Sequence, residues 1–224
     1  MEKALTQIQI KNEIRMAEMS NRPADFRGKT LSGLFFLERE INASLDLENS
    51  IITGPISLGS ITVNGNLNFK GADIRQTFYF SEGTINGNLN MNFAKAGKII
   101  NLVGSKINGS LSFKGLEVNG FLSLSKAQIF GDLDFRNIII KNSQYDDLTI
   151  IGDLYLNKTI IQGGIDLTDA FVEGNLDLST AAIQSSVNLT NACIANLIIL
   201  RDALIRGDLI LKGAKYKKII KKVL

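Results

Sequence analysis

The sequence predicts an all-β chain, a solenoid of stacked 11-residue repeats, and three observations carry that prediction. Apolar residues recur with a fixed period of eleven, each repeat holds an x-Leu-x-Leu alternation, and most repeats place glycine between the two. Self-similarity at a fixed period decides fold class before any local propensity does. The composition agrees: 20 glycines, two prolines, no tryptophan and 45% apolar residues suit many short strands joined by tight turns.

The repeat is clearest late in the chain. Ile161-Gln-Gly163-Gly-Ile165-Asp-Leu167 is followed eleven residues on by Val172-Glu-Gly174-Asn-Leu176-Asp-Leu178, and then by the units opening at Ile183, Ile194 and Ile205. A small residue, Ala170, Ala181, Ala192 or Ala203, stands two places before each leading aliphatic. Backwards the phase runs through Ile129, Val118, Ile107, a degenerate unit at Ala96, then Ile85, Ile74, Val63, Ile52 and Ile41. One slip occurs. Ile129 and Ile150 are 21 residues apart, so a unit at residues 138–145 reads as one residue short, and a bulge, kink or protruding loop is expected there.

Alternation with period two is that of a strand with one buried face, and four residues of each unit point inward. A unit of this size cannot bury its own apolar face, so units must stack, each covering the last. A helix at 3.67 residues per turn would scatter the aliphatics at offsets 0, 4 and 6 over separate faces.

The five-residue pieces Ala24-Asp-Phe26-Arg-Gly28, Ala72-Asp-Ile74-Arg-Gln76, Ala127-Gln-Ile129-Phe-Gly131, Ala170-Phe-Val172-Glu-Gly174 and Ala203-Leu-Ile205-Arg-Gly207 resemble the unit of pentapeptide-repeat proteins, a small residue first and a large apolar one in the centre. Here two such units plus one residue make eleven. The resemblance covers residues 24–214 and implies a four-sided right-handed β-helix with about 22 residues per coil, hence a rod of about eight coils and ~40 Å at the usual strand spacing.

Open rod ends invite aggregation, so short terminal capping helices are expected around the repeat β-helix of residues 23–214. The N-terminal cap is residues 1–22, with Leu5, Ile8 and Ile14 on one side of a helix. The C-terminal cap is a basic amphipathic helix over 215–224, where Tyr216, Ile219, Ile220, Val223 and Leu224 fall at helical spacing.

Composition excludes much chemistry. There is no histidine, which removes imidazole bases, Ser-His triads and the usual metal sites, and no Gly-x-x-x-x-Gly-Lys-Ser/Thr phosphate loop is present, since Gly28-Lys29-Thr30 has proline at the leading glycine position. No catalytic, cofactor-binding or metal-binding residue is assigned, and the chain is expected not to be an enzyme. Cys193, the single cysteine, is expected to be an incidental thiol. With no export signal and no apolar stretch long enough to span a bilayer, a cytoplasmic protein without membrane insertion is expected.

The formal charge of +3 is uneven: six lysines lie in the last thirteen residues, while residues 131–180 hold nine acids against three bases. The basic tail therefore gives no support for nucleic-acid binding. Asp132, Asp134, Asp153, Asp166 and Asp177 face water; solvated strand faces and turn positions account for them first, and a candidate partner surface is the alternative. In the last coils, outward slots become apolar at Ile160, Phe171, Leu197, Ile199, Leu204 and Ile210, a candidate self-association patch unless the C-terminal helix covers it. The expected function is a non-enzymatic protein-binding scaffold, dimeric through its C-terminal coils. The resemblance also implies a rival, a duplex-DNA mimic that binds a type II topoisomerase; two further alternatives are a polymer-forming structural β-helix, similar to the β-helical bacterial cytoskeletal proteins, and a secreted effector.

Overall fold

A computed structural model describes residues 3–35, 39–145 and 148–221. Apart from the helix α1, Gln7–Met19, the described chain is strands of two or three residues and two longer ones near the C-terminus. They stack in parallel register into a β-solenoid.

The chain visits four faces in turn. Leu45–Asp46 lies on the first, Ile51–Ile52 on the second, Ile56–Ser57 on the third and Thr62–Val63 on the fourth, before Leu67–Asn68 returns to the first. Nine strands stack on the first face and eight on the fourth. The second and third merge into one 16-stranded sheet because Cys193–Ile199 runs unbroken around their shared corner. The coil length is 22 residues, as in Leu45 over Leu67 and Leu89 over Leu111. The expected four-sided coil is therefore observed.

Inside, identical slots stack on one another. Phe69, Met91, Phe113 and Phe135 occupy one slot in successive coils, and the Phe113 and Phe135 rings stack with centroids 5.4 Å apart. Ala72, Ala94, Ala127, Ala170, Ala181 and Ala192 fill the narrow slot before the turn out, all buried. The degenerate unit at Ala96 is a regular coil, its methyl buried between Ile74 and Val118.

The slip after Ile129 has a different cause from the one expected. Gln128 pairs with Ile160 and Leu133 with Ile165, spacings of 32 residues, whereas the coils on either side keep 22. Ten residues are inserted, not one removed. They form an antiparallel hairpin, Ser143–Tyr145 against Leu148–Ile150, at the corner between the second and third faces. The Asn142 N–H donates to Glu173 Oε2 and the Asn142 Oδ1 accepts from the Gly152 N–H, which closes the base of the hairpin. A true one-residue deletion lies in the first coil, where Thr30 pairs with Ile51 at a spacing of 21 and Gly33 takes φ +142°.

At the N-terminal end α1 lies across the first coil, as expected for a cap. Thr6 and Gln9 form a reciprocal capping box, and Ile10, Ile14 and Ala17 are buried. Ile8, expected on the buried side, is exposed, and Leu5 instead bridges to Leu31 as a strand residue. Met1 lies outside the described residues.

The expected C-terminal helix is not formed. Lys215–Ile220 is a strand paired with Cys193–Ile199, with the Lys215 N–H donating to Ala192 O at 2.8 Å. An exposed strand edge offers a full row of hydrogen-bonding partners, and this outweighs the helical spacing of the apolar residues. Lysines at 215, 217 and 218 on that last strand are the side chains that blunt an edge against further pairing. Lys222, Val223 and Leu224 of the expected helix lie outside the described residues.

Candidate functional site

Each of the five aspartates singled out from the sequence accepts hydrogen bonds within the chain. Asp134, Asp166 and Asp177 take the last strand position before a turn and accept from the N–H two residues on, those of Arg136, Thr168 and Ser179. Asp46, Asn68, Asn90 and Asn188 do the same in other coils of the first face. This is the Asx turn, which explains why Asp and Asn recur at that slot.

Asp132 belongs to a second device at the corner between the fourth and first faces. There the side chain of one coil accepts the N–H of the residue one coil further on: Ser44 from Asn66, Asn66 from Asn88, Asn88 from Ser110, Ser110 from Asp132 and Asp132 from Gly164. A parallel amide ladder runs beside it, in which Asn64, Asn86 and Asn108 each donate to the preceding asparagine.

Asp153 is the most enclosed of the five. It accepts from the Asn175 N–H and from the Tyr155 hydroxyl at 2.6 Å. Burial pushes the Tyr155 hydroxyl up to about 12, and its bond to the Asp153 carboxylate acts in the same direction. Burial alone would raise the Asp134 carboxyl, but the Arg136 guanidinium and N–H hold it below its ordinary value. Arg136 also reaches Asp166 at 3.8 Å. Part of the negative charge in this window is therefore neutralised locally.

The five acids do not form one surface. Asp132, Asp134 and Asp166 line a shallow groove on the first face and its corner, whereas Asp153 and Asp177 lie on the opposite, third face. Asp146 and Asp147, also counted in the acidic window, lie outside the described residues.

The apolar outward residues are likewise distributed. Ile160 and Leu204 are on the fourth face with Ala182 between them, Phe171 is on the second between Ile139 and Cys193, Leu197 and Ile199 follow the corner onto the third, and Ile210 is on the first. The tail strand does not cover the fourth-face residues, which are 42% and 55% exposed at Ile160 and Leu204. Cys193 is a free, half-buried thiol in the outward slot. Among the described residues no three Cys, Asp or Glu side chains converge in a geometry that could hold a metal ion, and no helix is long and apolar enough to cross a membrane.

A surface that the sequence reasoning missed lies on the third face. Over residues 33–35, 55–57, 77–79, 99–101, 121–123 and 153–155 only Asp153 carries a charge, and it is buried. The same strip holds four aromatic rings, Phe35, Tyr79, Phe121 and Tyr155, the last two in edge-to-face contact at 5.8 Å. The 11-residue alignment conceals it because it superposes first-face slots on third-face slots. Reading alternate repeats separately gives Asp46, Asn68, Asn90, Ser112 and Asp134 in one column and Ser57, Tyr79, Asn101, Ser123 and Tyr155 in the other.

Compared with known proteins, the sequence matches no family model and no curated protein.

Proposed function

We propose that this chain is a non-catalytic, pentapeptide-repeat-like scaffold that binds proteins and pairs with a second copy through its last coils. The observation behind this reading is the change along the fourth face. Its outward ladder runs Glu40, Thr62, Thr84, Lys106 and Gln128 and then becomes Ile160, Ala182 and Leu204. A solvent-facing slot that is polar for five coils has no packing reason to turn apolar for three unless those coils are covered in use. A twofold axis through such a ladder sets each copy's aliphatics against the other's and brings no buried charge with them.

The DNA-mimic reading is less well supported, because the acids divide between opposite faces and Arg136 sits between two of them. End-to-end polymerisation through the N-terminal end is disfavoured by α1, which buries Ile10, Ile14 and Ala17 on the first coil. A reducing, cytoplasmic setting suits the lone Cys193.

Light scattering tests the pairing. The full chain is expected at twice its 24.5 kDa mass, and the double variant Ile160→Lys, Leu204→Lys at the monomer mass with unchanged circular dichroism. A wild-type monomer at the highest soluble concentration overturns the self-association reading.

A further inference from the structure

We propose that the C-terminal end of the rod is a docking surface for an anionic lipid membrane, on which the solenoid stands end-on with its last coil in the headgroup layer. The proposal goes beyond the protein-binding reading above and does not depend on it.

The two ends of the rod differ. At the N-terminal end α1 covers the first coil, and Arg22 and Arg27 are ion-paired with Glu13 and Asp25. At the other end the sheets stop at Leu204–Ile205, Leu209–Ile210 and Lys215–Ile220, and no further described strand covers them. The inward residues Ile205, Leu209 and Ile219 stand over Ile183, Val187 and Ile198, which are fully buried, yet they are themselves only half-buried. Tyr216, above the buried Ile194, is 38% exposed. The end is an apolar disc one coil deep.

Around this disc the charge is nearly all positive. Residues 201–221 carry seven basic side chains against two acids, all nine exposed. Arg206 follows the fourth-face strand, Lys212 stands at the corner between the first and second faces, and Lys215, Lys217 and Lys218 lie on the strand along the second and third. None of the seven is ion-paired with a described residue. The backbone adds donors. In the coil below, the N–H groups of Val187, Leu189 and Asn191 each donate to a carbonyl of the last coil. The matching N–H groups of Leu209, Leu211 and Gly213 point off the end and meet no described carbonyl. A sheet edge that presents N–H groups attracts anions, and lipid phosphates supply them.

Size and charge select a membrane over other occupants. A square coil of 22 residues at ~3.3 Å each has a side of ~18 Å and a cross-section of ~330 Å². That is well short of the ~800 Å² that each partner buries in a stable protein interface. A second copy set end to end would also bring two lysine rims together. A strand added by another protein meets the lysines that blunt this edge. A nucleic acid finds the charge but gains nothing from Ile205, Leu209 and Ile219. A bilayer uses both features: its phosphates meet the rim, and its acyl boundary admits apolar surface to a depth of about 5–10 Å, one or two coils at ~4.8 Å each. Basic charge joined to apolar surface anchors a protein peripherally where neither suffices alone.

The test is flotation of the full chain with vesicles of phosphatidylcholine alone or containing about 30% phosphatidylserine. Binding is expected to the anionic vesicles only. Each lysine at an anionic surface is worth about fivefold. The combined variant Lys215→Gln, Lys217→Gln, Lys218→Gln, Lys221→Gln is therefore expected to bind at least about a hundredfold more weakly. Glutamine in place of Lys95, Lys126, Lys141 and Lys158, on the sides of the rod, is expected to change binding by less than about threefold, because salt screens charges held away from the surface. Circular dichroism and melting establish that both variants are folded. The chain has no tryptophan, so Tyr216→Trp reports depth: lipids brominated on their acyl chains should quench its emission in the bound state. No binding to anionic vesicles at millimolar lipid, equal binding to neutral ones, equal losses in the two lysine variants, or unquenched emission from the bound Tyr216→Trp chain overturns the proposal. So does a fall in mass by light scattering in the tail variant, which would assign the end to a second copy. Tighter binding of a short DNA duplex than of vesicles, lost in the same variant, would assign it to nucleic acid instead.

Discussion

Replacing Gly109 with alanine tests the reason glycine recurs at the corner between the fourth and first faces. Gly109 does not have a positive φ, so no dihedral demands glycine there. A Cβ at Gly109 would instead meet the Asn88 Oδ1 and lie 2.6 Å from the Gly87 carbonyl oxygen, both in the coil before it. The Asn88 amide is held in that place by the 2.8 Å bond that it accepts from the Ser110 N–H. Breaking this bond costs about 1 kcal/mol, and the backbone shift that accommodates the methyl adds about 1–3 kcal/mol. At about 2–4 °C per kcal/mol for a chain of this size, the melting midpoint should fall by roughly 5–15 °C. The assay is thermal and urea unfolding, with hydrogen exchange at the Ser110 amide as the local readout. In an Asn88→Gly background the alanine should cost clearly less. The chain itself supplies the precedent: where the residue below is Gly164, the corner position above is Ser185, whereas Ser44, Asn66, Ser110, Asp132 and Ser186 all lie beneath glycine. A Gly109→Ala cost under about 0.5 kcal/mol, or the same cost in both backgrounds, would refute the reasoning.

Ser50 and Ser105 occupy the slot that alanine fills in most coils, and their hydroxyls are buried without a partner. Ser50→Ala and Ser105→Ala are each expected to raise stability by about 1 kcal/mol in urea titration, and a loss from either would show that the hydroxyl is satisfied in solution. Alkaline stability should depend on Tyr155. Its folded value is raised to about 12 against an ordinary 10, so the stabilisation is complete below pH 10 and is lost as pH rises through 12. Absorbance titration should show one tyrosine ionising late, and Tyr155→Phe should abolish that late step. A spectrum in which Tyr155→Phe removes ionisation near pH 10 instead would contradict the burial described here.

How much was legible in the sequence follows from what the period records. The leading aliphatics, the x-Leu-x-Leu strands and the alanine slot are inward positions set by stacking, so they repeat and can be read directly. The hairpin was misread because an insertion of ten into a period of eleven is indistinguishable by phase from a deletion of one. Its location was legible and its size was not. The tail was misread because Tyr216, Ile219 and Ile220 satisfy helical spacing, while the edge of Cys193–Ile199 that captures them exists only in three dimensions. The acids were found, but their grouping was not, since neighbours along the chain lie on successive faces and neighbours in space are 22 residues apart.

Two kinds of turn also had to be separated, and only the backbone does so. Positive φ recurs every eleven residues at the turn after each x-Leu-x-Leu, yet the residues there include Glu82, Phe93, Lys126, Lys158 and Thr180 as well as Gly71, Gly104 and Gly115. Those side chains point outward, and the cost of about 1–2 kcal/mol for a left-handed non-glycine residue is met by the buried stack on either side. The recurring corner glycines at 87, 109, 131 and 163 have ordinary backbone angles and are required by the distance between coils. The glycine pattern therefore records where successive coils approach most closely, and the turns themselves are left free to vary. That freedom extends to the outward slots, which is why the fourth face can pass from Lys106 and Gln128 to Ile160, Ala182 and Leu204 without any change in the repeat that builds it.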